Sequence, residues 1–342
     1  MNFCSDNTTA ASPEIIAHLM EVNGGHAMPY GADELTTRLQ ARLGEIFETD
    51  LAMFPVATGT AANVLALSVF CPTHGAVLCH RESHIQNDEC GAPELATGGA
   101  KLVPLEGEDV KLTPEILKGF LDGGWAGVVH HVQPAVVSIT NASEAGTVYT
   151  PDEVAGIAEI CRKHGLKLHM DGARFANALV HLGCSAAEIT WKAGVDVLSF
   201  GATKNGAMGA EAAIFFDPEA QGLAGYKRKR GGHLFSKMRF LSAQIEAYLM
   251  DDLWLHNARH ANAMAQELVA GLTPLTGVSL RHPVEANEVF IHLPADMEAR
   301  LSEAGFVFYP WPLGGADCYR LVTAWNTDPA DVKAFVATAA GE

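Results

Sequence analysis

Positive charge is scarce in this chain. Across 342 residues, 23 Lys and Arg face 40 Asp and Glu, a formal net charge of −17. A nucleic-acid-binding surface normally shows a basic face, so that class of partner is disfavoured. Paired cysteines are missing too: the seven, at 4, 71, 79, 90, 161, 184 and 318, are scattered with no C-x-x-C pair. That argues for reduced thiols in a cytoplasmic setting rather than a disulfide framework. No apolar run approaches the length of a bilayer span. Met1-Asn2-Phe3-Cys4-Ser5-Asp6-Asn7 lacks the basic and apolar regions of a secretory signal. No internal repeat or low-complexity tract is visible. What remains is 48% apolar and 18% charged, the composition of a well-cored enzyme-like protein, long enough for one large domain and a smaller one.

The chain turns on one stretch, Val195-Asp196-Val197-Leu198-Ser199-Phe200-Gly201-Ala202-Thr203-Lys204-Asn205-Gly206. Its first half reads as a buried strand, its second as a small-residue turn that presents one lysine. Such a lysine is either a solvated turn residue or a group at the sheet rim, where α/β proteins place ligands. About thirty residues upstream, Lys167-Leu168-His169-Met170-Asp171-Gly172-Ala173-Arg174 gives a second strand ending on an acid and then an arginine. A strand-end Lys for a Schiff base and a strand-end Asp for a protonated pyridine nitrogen are what pyridoxal 5'-phosphate (PLP) needs.

Earlier, Leu51 to Ala57 reads as a strand running into Thr58-Gly59-Thr60-Ala61-Ala62-Asn63 and a helix through Val69. Strand, small-residue turn and helix N-terminus converge backbone N–H groups on a phosphate, although this turn is neither a Walker loop nor a Rossmann fingerprint. His84 sits in a polar stretch with Glu89 five residues on, as a structural or a functional imidazole. Gly127 to Val132 and Ala135 to Ile139 read as the next apolar segments, followed by a polar loop, Thr140 to Tyr149, and a helix from Pro151 to His164. Strand–helix alternation from 50 to 215 predicts a mainly parallel, helix-covered sheet.

After Ala213-Ile214-Phe215-Phe216 the pattern changes. The only dense basic run, Lys227-Arg228-Lys229-Arg230, reads as a loop, either solvated or an anion site. A long helical region, Ser236 to Leu272, leads to strands over 288–293, 306–311 and 318–325 with helices between. The predicted division is 1–245 for the N-terminal segment and large domain and 246–342 for a small α+β domain. In Tyr319-Arg320-Leu321-Val322-Thr323-Ala324-Trp325 the period of two puts Arg320 on the face of Val322 and Ala324. A guanidinium there serves a salt bridge or captures a carboxylate.

With these residues placed, the whole chain resembles the low-specificity L-threonine aldolase family of fold-type I PLP-dependent enzymes. The anchors are Phe3-Cys4-Ser5-Asp6-Asn7, Tyr30-Gly31-Ala32-Asp33, Thr58 to Asn63, His84, Gly146-Thr147-Val148-Tyr149, His169 to Arg174, Ser199 to Lys204 and Arg320-Leu321-Val322-Thr323. The resemblance implies the transferase-like fold of that class and these roles. Lys204 holds PLP, Gly59 and Thr60 cradle its phosphate, and His84 stacks on the ring and assists proton transfer. Asp171 keeps the pyridine nitrogen protonated, and Arg174 bonds the ring's phenolate oxygen. Ser5 and Arg320 bind the amino-acid carboxylate. Tyr30 and the Arg228–Gly232 segment, with Arg230, reach a neighbouring subunit's site in a homo-oligomer, a tetramer built as a dimer of dimers. No metal is called for. Many relatives carry Asn-Thr-His where this chain has Thr140-Asn141-Ala142-Ser143, and the second active-site histidine is left between the adjacent His130 and His131.

The implied reaction is retro-aldol cleavage of L-threonine, L-allo-threonine and other L-β-hydroxy-α-amino acids to glycine and an aldehyde. Arg320 fixes the carboxylate so that the Cα–Cβ bond stands perpendicular to the cofactor ring. His84, or His130 or His131 through a water, takes the β-hydroxyl proton. A related PLP-dependent β-eliminating lyase or an aminotransferase is the rival, since all begin from the same adduct and differ in which bond breaks. A PLP-binding protein without turnover is a second rival, which the joint presence of Lys204, Asp171 and Arg320 disfavours.

Overall fold

The computed structural model describes all 342 residues. Its large sheet has seven strands: β1 Ala52–Val56, β2 Gly75–His80, β3 Lys101–Leu105, β4 Gln133–Thr140, β5 Lys167–Gly172, β6 Val197–Gly201 and β7 Glu211–Phe215. Their order is β1-β7-β6-β5-β4-β2-β3. The pairs from β3 through β6 are parallel, and β7 runs antiparallel to both β6 and β1. The expected mainly parallel, helix-covered sheet is therefore present.

Alternation along the strands sends side chains to two apolar layers. Met170, Leu198, Phe200 and Ile214 join a core with the helices Glu34–Phe47, Pro151–His164, Phe175–Leu182 and Arg239–Leu249. Val197, Ala213 and Phe215 face the other way, onto Ala61, Ala62 and Leu65 of the helix Gly59–Phe70. Asp171 and His169 share the second parity, beneath that same helix. His169 is fully buried between two serines, Nδ1 2.8 Å from Ser138 Oγ and Nε2 3.0 Å from Ser199 Oγ.

A second, four-stranded antiparallel sheet follows: β8 Ser279–Leu280, β9 Glu288–His292, β10 Tyr309–Pro310 and β11 Cys318–Val322, in the order β10-β11-β9-β8. Its core includes Val289, Ile291, Leu321, Phe335 and, from the far end of the chain, Phe3. The backbone N–H of Phe3 donates to Val307 O at 2.8 Å, and that of Val322 to Phe3 O at 2.8 Å. Further on, Ser12 N–H donates to Gly206 O at 2.7 Å. The N-terminal segment thus runs from the small sheet to the turn after β6, carrying Ser5 and Asp6 between them.

Four local expectations need correction. Residues 127–132 form turns, not a strand, and Val129 is 92% exposed. Gly124 and Gly127 take positive φ, and one side chain, Gln133, accepts from Gly127 N–H and donates to the carbonyls of Val128 and His131. The basic run is the last turn of a helix, Gln221–Arg230, where cations suit the carbonyl end of the dipole. The long helical region breaks at Asp251 and Asp252, both at positive φ, into Arg239–Leu249 and Leu253–Leu272. Only Tyr309–Pro310 of 306–311 forms strand with β11, and Val307 instead bridges to Asn2 of the N-terminal segment.

The turn after β6 is fixed from several sides. Asn205 Nδ2 donates to Tyr248 Oη at 2.7 Å and to Trp254 O at 2.8 Å. Asn257 Nδ2 donates to Asn205 O at 2.8 Å. Gly206 sits at φ +119, and a Cβ there would run into Ser12 Oγ and come within 2.8 Å of Asn257 Nδ2. Gly206→Ala is therefore expected to cost roughly 2–4 kcal/mol in stability, measured by denaturant unfolding. A loss below about 0.5 kcal/mol, the ordinary range for a surface substitution, would show that the turn is not held as described.

Candidate active site

The carboxyl ends of β1, β2, β4, β5 and β6 lie along one edge of the large sheet, the edge where open α/β sheets receive ligands. A cavity of about 560 Å³ opens there. Ser5, Gly59, Thr60, His84, Asp171, Arg174, Lys204 and Arg320 all line it. Residues separated by more than three hundred positions are brought together because the N-terminal segment and β11 both meet the sheet edge.

Thr58 caps the helix Gly59–Phe70, accepting from Ala61 N–H at 3.1 Å. The N–H groups of Gly59 and Thr60 make no hydrogen bond within the protein. A Cβ on Gly59 would meet nothing within 4 Å, so the glycine answers to open space rather than to packing. Free N–H groups on a helix N-terminus facing a void suit an anion such as phosphate.

One turn along, Asn63 Nδ2 donates to Asp171 Oδ2 and to Glu89 Oε1, both at 2.8 Å. Asp171, 5% exposed, also accepts from Ala173 N–H at 3.0 Å. Glu89 Oε1 lies 2.8 Å from His84 Nδ1, and its side chain has no solvent exposure. The hydrogen bond to Glu89 raises the His84 pKa above its ordinary value against the opposing effect of burial, and Asp171 adds to the rise.

Arg174 is bound to protein acids on three sides. Nε and Nη2 donate to Asp6 Oδ2 and Oδ1 at 2.8 and 3.1 Å, and Nη1 lies 3.0 Å from Glu288 Oε2. Both acids are buried, yet they respond differently. Burial alone would push the Asp6 carboxyl up, but Arg174 and Lys204, with bonds from Arg174 and Asn287, bring it below its usual range. Glu288 stays raised, because burial outweighs Arg174 and Arg320 there. The two aligned bonds to Asp6 explain the contrast.

Arg320 Nη2 donates to Cys4 O at 3.2 Å, and its guanidinium lies 5.4 Å from the Trp311 ring centre and 5.8 Å from that of Tyr309. Its Nε is buried without a partner. The arginine is held by aromatic faces and one carbonyl, with no carboxylate of its own. Two further acids line the cavity, and burial pushes each up to about 7: Glu144, and Glu211, which accepts from Ala202 N–H at 2.8 Å.

Four expected site residues lie elsewhere. His130 and His131 sit in the exposed turn before β4, with the His131 ring against Trp125, and do not line the cavity. Both precede β4 and therefore lie at the amino end of that strand, opposite the carboxyl ends that line the cavity. Tyr30 and Arg230 are exposed and do not line this chain's cavity. They lie in segments that meet: Lys229 Nζ is 5.4 Å from the Tyr30 ring centre, and Tyr30 N–H donates to Ser236 O at 3.0 Å. Sequence reasoning assigned no role to Asp6, Asn63, Glu89, Glu144, Glu211 or Glu288. Asp6 and Asn63 stood inside quoted motifs. The acids carried no signal, since their value comes from burial.

The comparisons agree with this geometry. Residues 2–296 match the beta-eliminating lyase family. The chain is 44% identical to a low specificity L-threonine aldolase of Pseudomonas aeruginosa, over 97% of this chain and 94% of the relative. It is 43% identical to one of a Pseudomonas species, over 98% and 96%. The solved threonine aldolase of Leishmania major superposes with a TM-score of 0.93 at 32% identity, over 99% and 98% of the two chains. A putative histidinol-phosphate aminotransferase of Erwinia carotovora, at TM-score 0.75 and 15% identity over 100% and 95%, shares the fold. The fold is that of the fold-type I PLP-dependent enzymes, and the chain belongs to the low-specificity L-threonine aldolase family.

Proposed function

We propose that this protein is a PLP-dependent aldehyde-lyase that cleaves L-threonine, L-allo-threonine and related L-β-hydroxy-α-amino acids to glycine and an aldehyde. The observation that carries it is the convergence of Lys204, Asp171 and Arg320 on one cavity, in a chain whose relatives in Pseudomonas bear the name of that activity. The cavity suits PLP at each end. The free N–H groups of Gly59 and Thr60 fit its phosphate, buried Asp171 fits its ring nitrogen, and Lys204 fits its aldehyde carbon. Bound there, PLP supplies an electron sink for the pair released at Cα.

The chain's own residues do the rest. Arg320, free of any acid partner, takes the substrate carboxylate and so orients the Cα–Cβ bond. Asn63 and Ala173 N–H keep the Asp171 carboxylate aimed while it stays buried. His84, oriented by the bond between its Nδ1 and Glu89, which raises its pKa, presents the other side of its ring toward substrate or cofactor. The active unit is a homo-oligomer, a tetramer in the fuller form of this reading, with Tyr30 and Arg230 supplied to a neighbouring site. Their exposure, and the contact of Tyr30 with Lys229 beside Arg230, support that reading. The seven unpaired cysteines, five of them buried, suit a cytoplasmic location.

Incubation with L-threonine should yield glycine and acetaldehyde. Pyruvate with ammonia, or a keto acid, would instead mark β-elimination or transamination. Borohydride reduction of the PLP-loaded protein should place the label on Lys204, and a label on another lysine would overturn the assignment. Arg320→Ala should lower kcat/KM by about a hundredfold, roughly 3 kcal/mol for a charge-assisted contact, with PLP content little changed. Loss of cofactor or unfolding would make the residue structural. Mixing inactive Lys204→Ala subunits with inactive Tyr30→Ala/Arg230→Ala subunits should restore activity after exchange. None returning, with exchange verified, would mean each site is built from one chain.

A further inference from the structure

We propose that Glu144 is the group that takes the proton from the substrate's β-hydroxyl. The inference rests on the retro-aldol reading, which requires a proton acceptor inside the cavity. His130 and His131 are outside it. His84 lines it, but its Nδ1 is engaged by the buried Glu89 carboxylate at 2.8 Å, a bond that raises its pKa above the ordinary value and so favours the imidazolium, which has no free lone pair to accept a proton.

The acids of the cavity sort themselves by their bonds. Both oxygens of Asp171 are taken, by Asn63 and by Ala173 N–H. Glu288 is paired with Arg174. Glu211 serves both Ala202 N–H and the Thr203 hydroxyl in the Lys204 turn. Glu82 and Asp88 line the cavity, but no donor holds either carboxyl in place. Glu144 differs from all of these. Its Oε1 accepts from His84 N–H at 2.8 Å and from Thr140 Oγ1 at 2.9 Å, which fixes the carboxyl, while no other residue donates to Oε2. One oxygen anchors to neighbouring elements and the other does not.

Its surroundings suit a proton carrier. Burial raises its pKa to about 7, and Asp171 on β5 adds to the rise against the bonds from His84 N–H and Thr140. The other titratable groups that feel its charge are Arg174 after β5, Cys79 on β2 and Tyr149. An acid titrating near the working pH both accepts and returns a proton readily. In the cleavage direction the O–H bond of the β-hydroxyl breaks and its proton passes to Oε2. The oxygen's electron pair becomes the carbonyl π bond of the departing aldehyde, and the Cα–Cβ pair stays with Cα. Glu144 then loses the proton to water, or returns it to the aldehyde oxygen in the synthetic direction.

The test separates two reactions of the PLP-loaded protein. Cleavage of L-threonine needs the β-hydroxyl proton removed; exchange of the glycine α-proton in D2O, followed by NMR, does not. Glu144→Gln should slow cleavage by about a hundredfold or more while glycine exchange stays within about threefold. The kcat/KM of the wild type should rise with pH through a limb near 7, since the carboxylate form is the base, and that limb should vanish in the Gln variant. Glu144→Asp should recover part of the cleavage. Equal loss of both reactions, or cleavage at the wild-type rate, overturns the proposal. Should the Gln variant not fold, the Asp variant decides by the same comparison: cleavage slowed more than exchange supports it, and both slowed alike or neither slowed overturns it. Wild-type protein that exchanges glycine yet cleaves no β-hydroxy amino acid overturns the retro-aldol reading itself, whatever Glu144 does.

Discussion

The structure depends on a buried carboxylate, Asp171, kept in place at the end of a central strand. A carboxylate taken out of water is costly unless every oxygen finds a donor. Here each oxygen has one, Asn63 from the helix Gly59–Phe70 and the backbone of Ala173. The first of these bonds ties the strand end to the helix whose N-terminus carries the free N–H groups of Gly59 and Thr60. The buried carboxylate and the open helix N-terminus are thus set relative to one another by one contact. Asn63 passes the constraint on to Glu89, and Glu89 to His84. A chain of three charge-assisted bonds, from Asp171 through Asn63 and Glu89, positions the cavity's only histidine.

The same cavity concentrates acids in a chain already rich in them. Asp6, Glu144, Asp171, Glu211 and Glu288 are gathered within reach of Arg174, Lys204 and Arg320. Fixed bonds decide which acids remain ionised. Asp6 holds two aligned guanidinium bonds and is drawn down; Glu144 and Glu211 receive only neutral donors and are pushed to about 7. Environments that drive like groups apart are how one site holds carboxylates of different protonation. The net charge of −17 therefore says little about the site, where the balance is local.

What could be read from the sequence followed from local physics. The strand ends carrying Asp171 and Lys204, the helix N-terminus at Gly59 and the guanidinium on β11 are each marked by short-range patterns, namely apolar runs, small-residue turns and a period of two. The misreadings arose where one distant or unusual contact overrides pattern. Residues 127–132 are apolar enough for a strand, but Gln133 and two positive-φ glycines hold them in turns. His130 and His131 lie in those turns, at the amino end of β4 and away from the cavity. Glu144 lies in an ordinary polar loop by composition, and nothing in its neighbours along the chain signals that its carboxyl is buried against the His84 backbone. Long-range burial is the quantity a single sequence does not display.

The two ends of the cavity belong to different cores. Lys204, Asp171 and Gly59 are fixed by the large sheet, while Arg320 stands on the small sheet whose core holds Phe3. Two elements set the distance between them. The helix Leu253–Leu272 places Trp254 and Ala258 in the large core and Leu268 and Leu272 in the small one. The N-terminal segment is bonded to the small sheet at Phe3, to Arg174 at Asp6 and to the Lys204 turn at Ser12. Arg320 itself donates to Cys4 O, within this strap. The strap makes the Arg320 end and the Lys204 end answer to one another, since any shift of the small sheet must pull on the bidentate Asp6–Arg174 pair and on the backbone beside Gly206. The separation of Arg320 from Lys204 is therefore held by the first dozen residues of the chain as much as by the sheet that bears the lysine.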